Sequence, residues 1–247
     1  MGRQALYDRI GLGYSEYRRP DERIARRIDD ALGQSRRVLN VGAGAGSYEP
    51  NSGFVVAVEP SAEMIRQRSN NAAQCLRSTA DRLPFQDRSF DAVLAILTIH
   101  HWSHRHQGLA EMRRVARDRV VIFTWDPGHP GFWLVQDYLP EILDVDRPNF
   151  PSLRDIEEAI GPTEVYTLPV PADCSDGFLG AYWRRPEAYL DPRVRSAIST
   201  FAKVDSAAAI ARLRRDIEDG TWSGRHGALL SLPELDIGYR LVVARCA

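Results

Sequence analysis

Residues 36–61 join two short apolar runs through a ladder of glycines, and few folds accommodate that combination. Val38, Leu39 and Val41 read as a buried strand that runs straight into Gly42, Gly44 and Gly46, with Ala43 and Ala45 between them. Glycine lets a ligand lie against main-chain N–H groups and takes dihedrals that other residues avoid. A second apolar run, residues 54–58, ends in Glu59, where a parallel neighbouring strand would deliver a carboxylate to the same edge. A carboxylate there can accept both hydroxyls of a ribose. Together these features describe a nucleoside crevice at the carboxyl edge of a parallel α/β sheet.

The spacing narrows the nucleoside. A dinucleotide loop reads G-x-G-x-x-G and opens a helix whose N-terminus faces a pyrophosphate. Here the pattern is G-x-G-x-G, and Ser47 stands where the third glycine of that fingerprint would be. Only residues 47–53 separate the loop from the next strand, too few for the usual helix. A nicotinamide-dependent oxidoreductase is disfavoured on these grounds, and also by the lack of a Tyr-x-x-x-Lys element.

Further motifs follow in order. Val58-Glu59-Pro60-Ser61 leads to Met64, residues 80–85 read Ala-Asp-Arg-Leu-Pro-Phe, and residues 89–93 read Ser-Phe-Asp-Ala-Val. With the glycine loop they make the chain, over about residues 7–126, resemble the class I S-adenosylmethionine-dependent methyltransferases, in particular the small-molecule enzymes related to ubiquinone and menaquinone biosynthesis. The resemblance implies a Rossmann-like α/β fold with a mostly parallel seven-stranded sheet and an antiparallel last strand. It implies S-adenosylmethionine as cofactor, with S-adenosylhomocysteine as product. Carried over residue by residue, it assigns cofactor contacts to Asn40, Gly42, Ala43, Gly44, Gly46, Glu59, Pro60, Met64, Ala80, Asp81, Leu97 and Thr98. Asn40 occupies a position where the family usually has an acid. An N-terminal lid in the family brings a Tyr and an Arg to the methionine end, which points to Tyr14 and to Arg18 or Arg19.

Residues 90–97 read as a buried fourth strand that delivers His100, His101, Trp102, His104 and His106 to the carboxyl edge of the sheet. His100 and His101 are candidate bases, because imidazole titrates near neutrality, and Trp102 is a candidate substrate contact. A metal site is disfavoured, since no cysteine or carboxylate cluster completes a ligand shell. Asp126, after a fifth strand over 119–125, is a further base candidate, with a turn-forming role as the plainer reading beside Pro127 and Gly128.

Apolar spacing predicts helices over 21–32, 61–68, 107–117, 132–145, 152–160, 192–201 and 206–219, and strands over 165–170 and 237–244. The domain reading is therefore an N-terminal lid and helix at 1–35, a cofactor-binding domain at 36–170 and 235–247, and a helical cap insertion at 171–234. Within the insertion, Trp183, Arg184 and His226 are candidate substrate contacts, with Arg185 and Arg225 beside them.

A net charge of −1 gives no electrostatic footprint for nucleic acid or an anionic membrane. The three cysteines are isolated and no apolar run approaches the length of a membrane span, which suggests a cytoplasmic protein. One lysine against 31 arginines suggests a GC-rich bacterial genome. The expected activity is methylation of a small molecule on oxygen, nitrogen or carbon. Its rivals are a protein that binds the cofactor without transferring methyl, to which Asn40 lends weight, and a metal-dependent hydrolase. Oligomeric state is not legible.

Overall fold

The structure, a computed structural model, describes residues 17–51 and 53–246. The lid residue Tyr14 lies outside them.

Helix α1 (Glu22–Leu32) forms where apolar residues recur every four positions, and Ile24, Ile28 and Leu32 are buried on one face. Asp21 caps its start by accepting the Arg23 N–H at 3.0 Å. Gly33 ends it at φ +59°, donating to the carbonyls of Asp29 and Asp30. Strands β1 (Arg37–Val41) and β2 (Phe54–Val58) follow, then a short α2 (Ala62–Arg66), β3 (Gln74–Leu76) and β4 (Phe90–Ile96). Next come α3 (Arg105–Val115) and the long β5 (Ala116–Trp125). The sheet order is β3-β2-β1-β4-β5-β9-β6, with β6 (Thr163–Thr167) and β9 (Tyr239–Arg245) completing it. All contacts from β3 to β5 are parallel, and β9 runs antiparallel to both β5 and β6.

Alternation along the strands divides the core into two layers. Ala92 and Leu94 of β4, with Val121, Phe123 and Trp125 of β5, face one layer. Val93 and Ala95, with Val120 and Ile122, face the other, against Leu109 and Met112 of α3. Both faces are covered there, so residues 92–96 of β4 and 120–123 of β5 are continuous apolar runs, as buried parallel strands require.

The predicted helix over 132–145 is interrupted. A π-helical turn (Leu134–Tyr138) precedes α4 (Glu141–Asp146), because Pro140 lacks the N–H needed to continue a regular ladder. Helix α5 (Leu153–Ile160) starts at a capping box, with Ser152 and Asp155 exchanging side-chain and backbone bonds. After β6, a small ladder of β7 (Val170–Pro171) with β8 (Glu234–Leu235) brings together the two ends of the segment between β6 and β9. That segment holds α6 (Pro192–Ser196), α7 (Ala207–Glu218), α8 (Thr221–His226) and several 3₁₀ turns. Its aromatic residues Phe178, Tyr182, Trp183 and Tyr189 join the same core layer as α1.

Candidate functional site

At the carboxyl edge of β1, the chain turns back on itself without forming a helix, consistent with the short link. Gly42 and Ala43 donate to the Val58 carbonyl at 2.8 and 3.0 Å, which ties the loop to β2. Gly42 sits at φ +69°, and a Cβ there would lie 2.2 Å from the Thr98 hydroxyl. Gly44, at φ +52°, donates its N–H to Glu59 at 2.9 Å, while the other Glu59 oxygen accepts from Ser61 N at 2.9 Å. Burial raises the Glu59 pKa, against the pull of those N–H donors and of the nearby Arg68 charge.

These residues line a cleft of about 390 Å³. Asn40, Gly42, Ala43, Gly44, Glu59 and Pro60 form one side of it. Met64, Ala80, Asp81, Leu97 and Thr98 also line it, as do Trp102, His101 and Arg18. Gly46 stands apart from the lining: at φ +96° it turns the chain, facing Arg68 and Glu49. Arg18 faces the cleft whereas Arg19 is exposed, which resolves the register left open by the sequence.

A network unsuspected from sequence holds the loop from behind. Glu49 and Arg68 form a buried ion pair at 2.6 Å, with side chains 9% and 5% exposed. Arg68 also donates to the Gly44 and Ala73 carbonyls, and Glu49 accepts from the Ala73 N–H. Asn40 donates its amide to Glu49 at 3.3 Å. An acid at position 40 would repel Glu49, so the amide is the compatible choice. Because a carboxylate can only accept, the Asn40 nitrogen must face Glu49; the buried Asn40 Oδ1 is left without a hydrogen-bond partner.

A second cavity, about 90 Å³, shares Arg18, Leu97 and His101 with the first. Leu97 marks the junction in left-handed backbone at φ +46°, a conformation costly for a branched side chain and common where function holds strain. The smaller cavity is walled by aromatic residues, among them Trp125, Phe132, Phe150 and Tyr239, and contains His100 and the buried Asp146. His100 stacks on Phe150 with ring centroids 4.0 Å apart, and burial pushes its pKa well below the ordinary histidine value, helped by neighbouring positive charges. Arg18 is anchored to fully buried Asp176 at 2.6 Å, and Asp176 also accepts from the Tyr48 hydroxyl at 3.0 Å.

The structure places several expected contacts elsewhere. Asp126 lines neither cavity; its Oδ1 accepts the Gly128 N–H at 2.9 Å, the turn-forming role. Trp183 is fully buried, with its indole N–H on the Val170 carbonyl at 2.9 Å, so its bulk serves the core. Arg184 reaches the Leu232 carbonyl at 3.5 Å, at an exposed position. His226 bonds Asp137 at 2.9 Å and lies against Trp133 and Trp222, away from both cavities. Among the described residues, no group of histidine, cysteine and carboxylate side chains could hold a metal ion.

Residues 39–124 match the family described as a methyltransferase domain. A solved structure of a putative methyltransferase from an antibiotic biosynthesis pathway of Anabaena variabilis is 33% identical, with a TM-score of 0.85, over 92% of this chain and 98% of that one. The chain belongs to the class I S-adenosylmethionine-dependent methyltransferases. The demethylmenaquinone methyltransferase of Renibacterium salmoninarum is 35% identical over 118 residues, 44% of this chain and 50% of that protein. An uncharacterized methyltransferase of Bacillus subtilis, YcgJ, is 30% identical over 132 residues, 48% of each. The chain spans about half the length of these curated relatives.

The residues present fit the cofactor of this methyltransferase family. The cleft has a cradle at Gly42 and Gly44 where side chains are excluded, a buried carboxylate at the end of β2, and an unsatisfied buried acceptor in Asn40. Among the described residues, no helix is long and apolar enough to cross a membrane.

Proposed function

We propose that this chain transfers the methyl group of S-adenosylmethionine to a small-molecule acceptor. The observation that carries the reading is the shared wall of the two cavities: a larger one with nucleoside-binding chemistry has Arg18, Leu97 and His101 in common with a smaller aromatic one. In this reading Glu59 receives the ribose hydroxyls, Ala80 and Asp81 face the adenine edge, and Met64 packs against the ring. Asn40 Oδ1 and the glycine loop receive the methionine end, with Arg18 beside it.

When bound, S-adenosylmethionine supplies a methyl group on a positively charged sulfur, and the acceptor's lone pair forms the new bond while the carbon–sulfur pair stays on sulfur. Leu97 and His101 hold the acceptor in line, and orientation of this kind is worth several orders of magnitude in rate. His101 takes the proton that an O–H or N–H acceptor loses. The aromatic wall excludes water. Residues 171–234 act as a cap, since Phe178, Leu179, Ile198 and Thr200 all line the acceptor side.

Asn40 favoured a protein that binds the cofactor without transfer. Its pairing with Glu49 accounts for the amide on structural grounds, which leaves that rival without support from this residue. Parallel calorimetric titrations with S-adenosylmethionine, S-adenosylhomocysteine and NADH test the reading, followed by transfer of labelled methyl to a panel of small acceptors. Binding of the first two alone is expected, and binding of NADH alone overturns it.

A further inference from the structure

The smaller cavity contains one feature that the transfer chemistry leaves unused. Asp146, at the end of α4, is 7% exposed, and among the described residues Thr200 is the one side chain that bonds its carboxylate, through Oγ1 at 3.1 and 3.4 Å. A hydroxyl has a single proton, so Thr200 meets only part of the carboxylate's accepting capacity, and Asp146 lines the cavity. Burial raises the Asp146 pKa, offset in part by the charge of Lys203 and the Thr200 bond. A buried carboxylate with one neutral donor is costly unless a further donor completes it.

The surrounding charges restrict what that donor can be. Arg18 is engaged by Asp176, Lys203 is drawn to Asp146 itself, and His100 is held neutral by burial and by the positive charges around it. Arg18 and Lys203 are each balanced by a carboxylate, so the cavity has no unbalanced charge for an anionic or a cationic acceptor to pair with. Size is restrictive too: this cavity, about 90 Å³, is smaller than the roughly 150 Å³ that holds a benzene ring, so it has room for no more than one ring, and that ring has to reach to the shared residues Leu97 and His101.

We propose that Asp146 determines acceptor specificity, and that the acceptor is a neutral, single-ring unsaturated molecule whose hydroxyl or N–H donates to Asp146 while its opposite side meets His101. Asp146 lines only the smaller cavity whereas His101 belongs to the wall shared with the cleft, so His101 is the one of the two that also borders the cofactor side. The inference rests on the smaller cavity being the acceptor site.

The test uses single-ring probes titrated against the full chain saturated with S-adenosylhomocysteine, followed by ligand-detected NMR. Resorcinol is expected to bind at least about tenfold more tightly than 1,3-dimethoxybenzene, which keeps the ring but donates no hydrogen bond. Benzoate and benzylamine, anion and cation, are expected to be weaker than resorcinol by a similar factor. Any of the three matching resorcinol, or no binding of resorcinol at millimolar concentration, overturns the proposal. In Asp146→Asn the preference for resorcinol over the dimethoxy compound is expected to shrink to about threefold or less, with S-adenosylhomocysteine affinity unchanged; full retention overturns the proposal. The wild-type series decides the matter even if the variant does not fold. A resorcinol preference in a protein that binds no S-adenosylhomocysteine would refute the methyltransferase reading and leave the Asp146 assignment standing, while cofactor binding without the preference would do the reverse.

Discussion

The two cavities share a wall and are built in opposite ways. The larger is made from strand ends and the turns that follow them: the loop after β1, Glu59 after β2, residues 79–81 after β3 and 97–104 after β4. Much of its polarity is backbone, held by local bonds such as Gly44 N to Glu59. The smaller draws on Arg18 and on residues within 97–101, 125–150, 178–200 and 237–239, with Arg18, His100, His101, Asp146, Ser199 and Thr200 among its polar residues. One is set by the sheet's topology, and the other by how the later segments pack on it. A parallel sheet can therefore keep one cofactor site while acceptor chemistry varies with the residues packed above it.

Substitutions can break this contrast. The largest effect is expected at the loop: Gly44→Val places a β-branched residue at φ +52° beside Met64, and cofactor binding should weaken more than about 100-fold by calorimetry. Micromolar binding in that variant would mean the loop is not the cradle. Arg68→Met should lower the unfolding free energy by about 3 kcal/mol in urea titration, because it strands Glu49 as a buried charge. A loss much below that would show that Glu49 is reached by water and that the network does not brace the loop.

His101→Ala sharpens the division, since this residue borders both cavities. Turnover should fall about 100-fold in a methyl-transfer assay if it acts as a base, with cofactor affinity nearly unchanged. Equal losses in both would make His101 part of the cofactor site. Glu59→Ala should weaken S-adenosylmethionine binding by about 2 kcal/mol, the scale of a hydrogen bond to a charged group, and an unchanged dissociation constant would remove its ribose role. The smallest effect is expected at Asp126→Ala, where losing a turn bond should change stability and turnover by no more than about 0.5 kcal/mol.

The contrast also explains which features could be read early. Glu59 sits at a strand end, so strand periodicity locates it before any packing is known, and Met64 and Asp81 lie in short motifs near strand ends that the family resemblance could match residue by residue. Apolar spacing likewise located α1 within 21–32 and α5 within 152–160. Sequence reasoning erred at Trp183 and His226, whose residue types suggest contacts with substrate but which the insertion turns into its own core. It passed over Asp146, Thr200 and Asp176, ordinary polar residues without a motif, whose burial depends on segments far apart in sequence.

The sequence by itself determined the sheet's parallel strands, the glycine loop and the acid at the end of β2, because these follow from short-range periodicity and from backbone freedom at single positions; the class of cofactor came with the family resemblance that those motifs carry. Tertiary structure decided the rest: that Glu49 and Arg68 brace the loop and suit it to Asn40, that Arg18 rather than Arg19 turns inward to Asp176, and that a buried carboxylate stands in the aromatic cavity. Each of these depends on the desolvation of a charge by residues distant along the chain, and that burial exists only once the chain has packed.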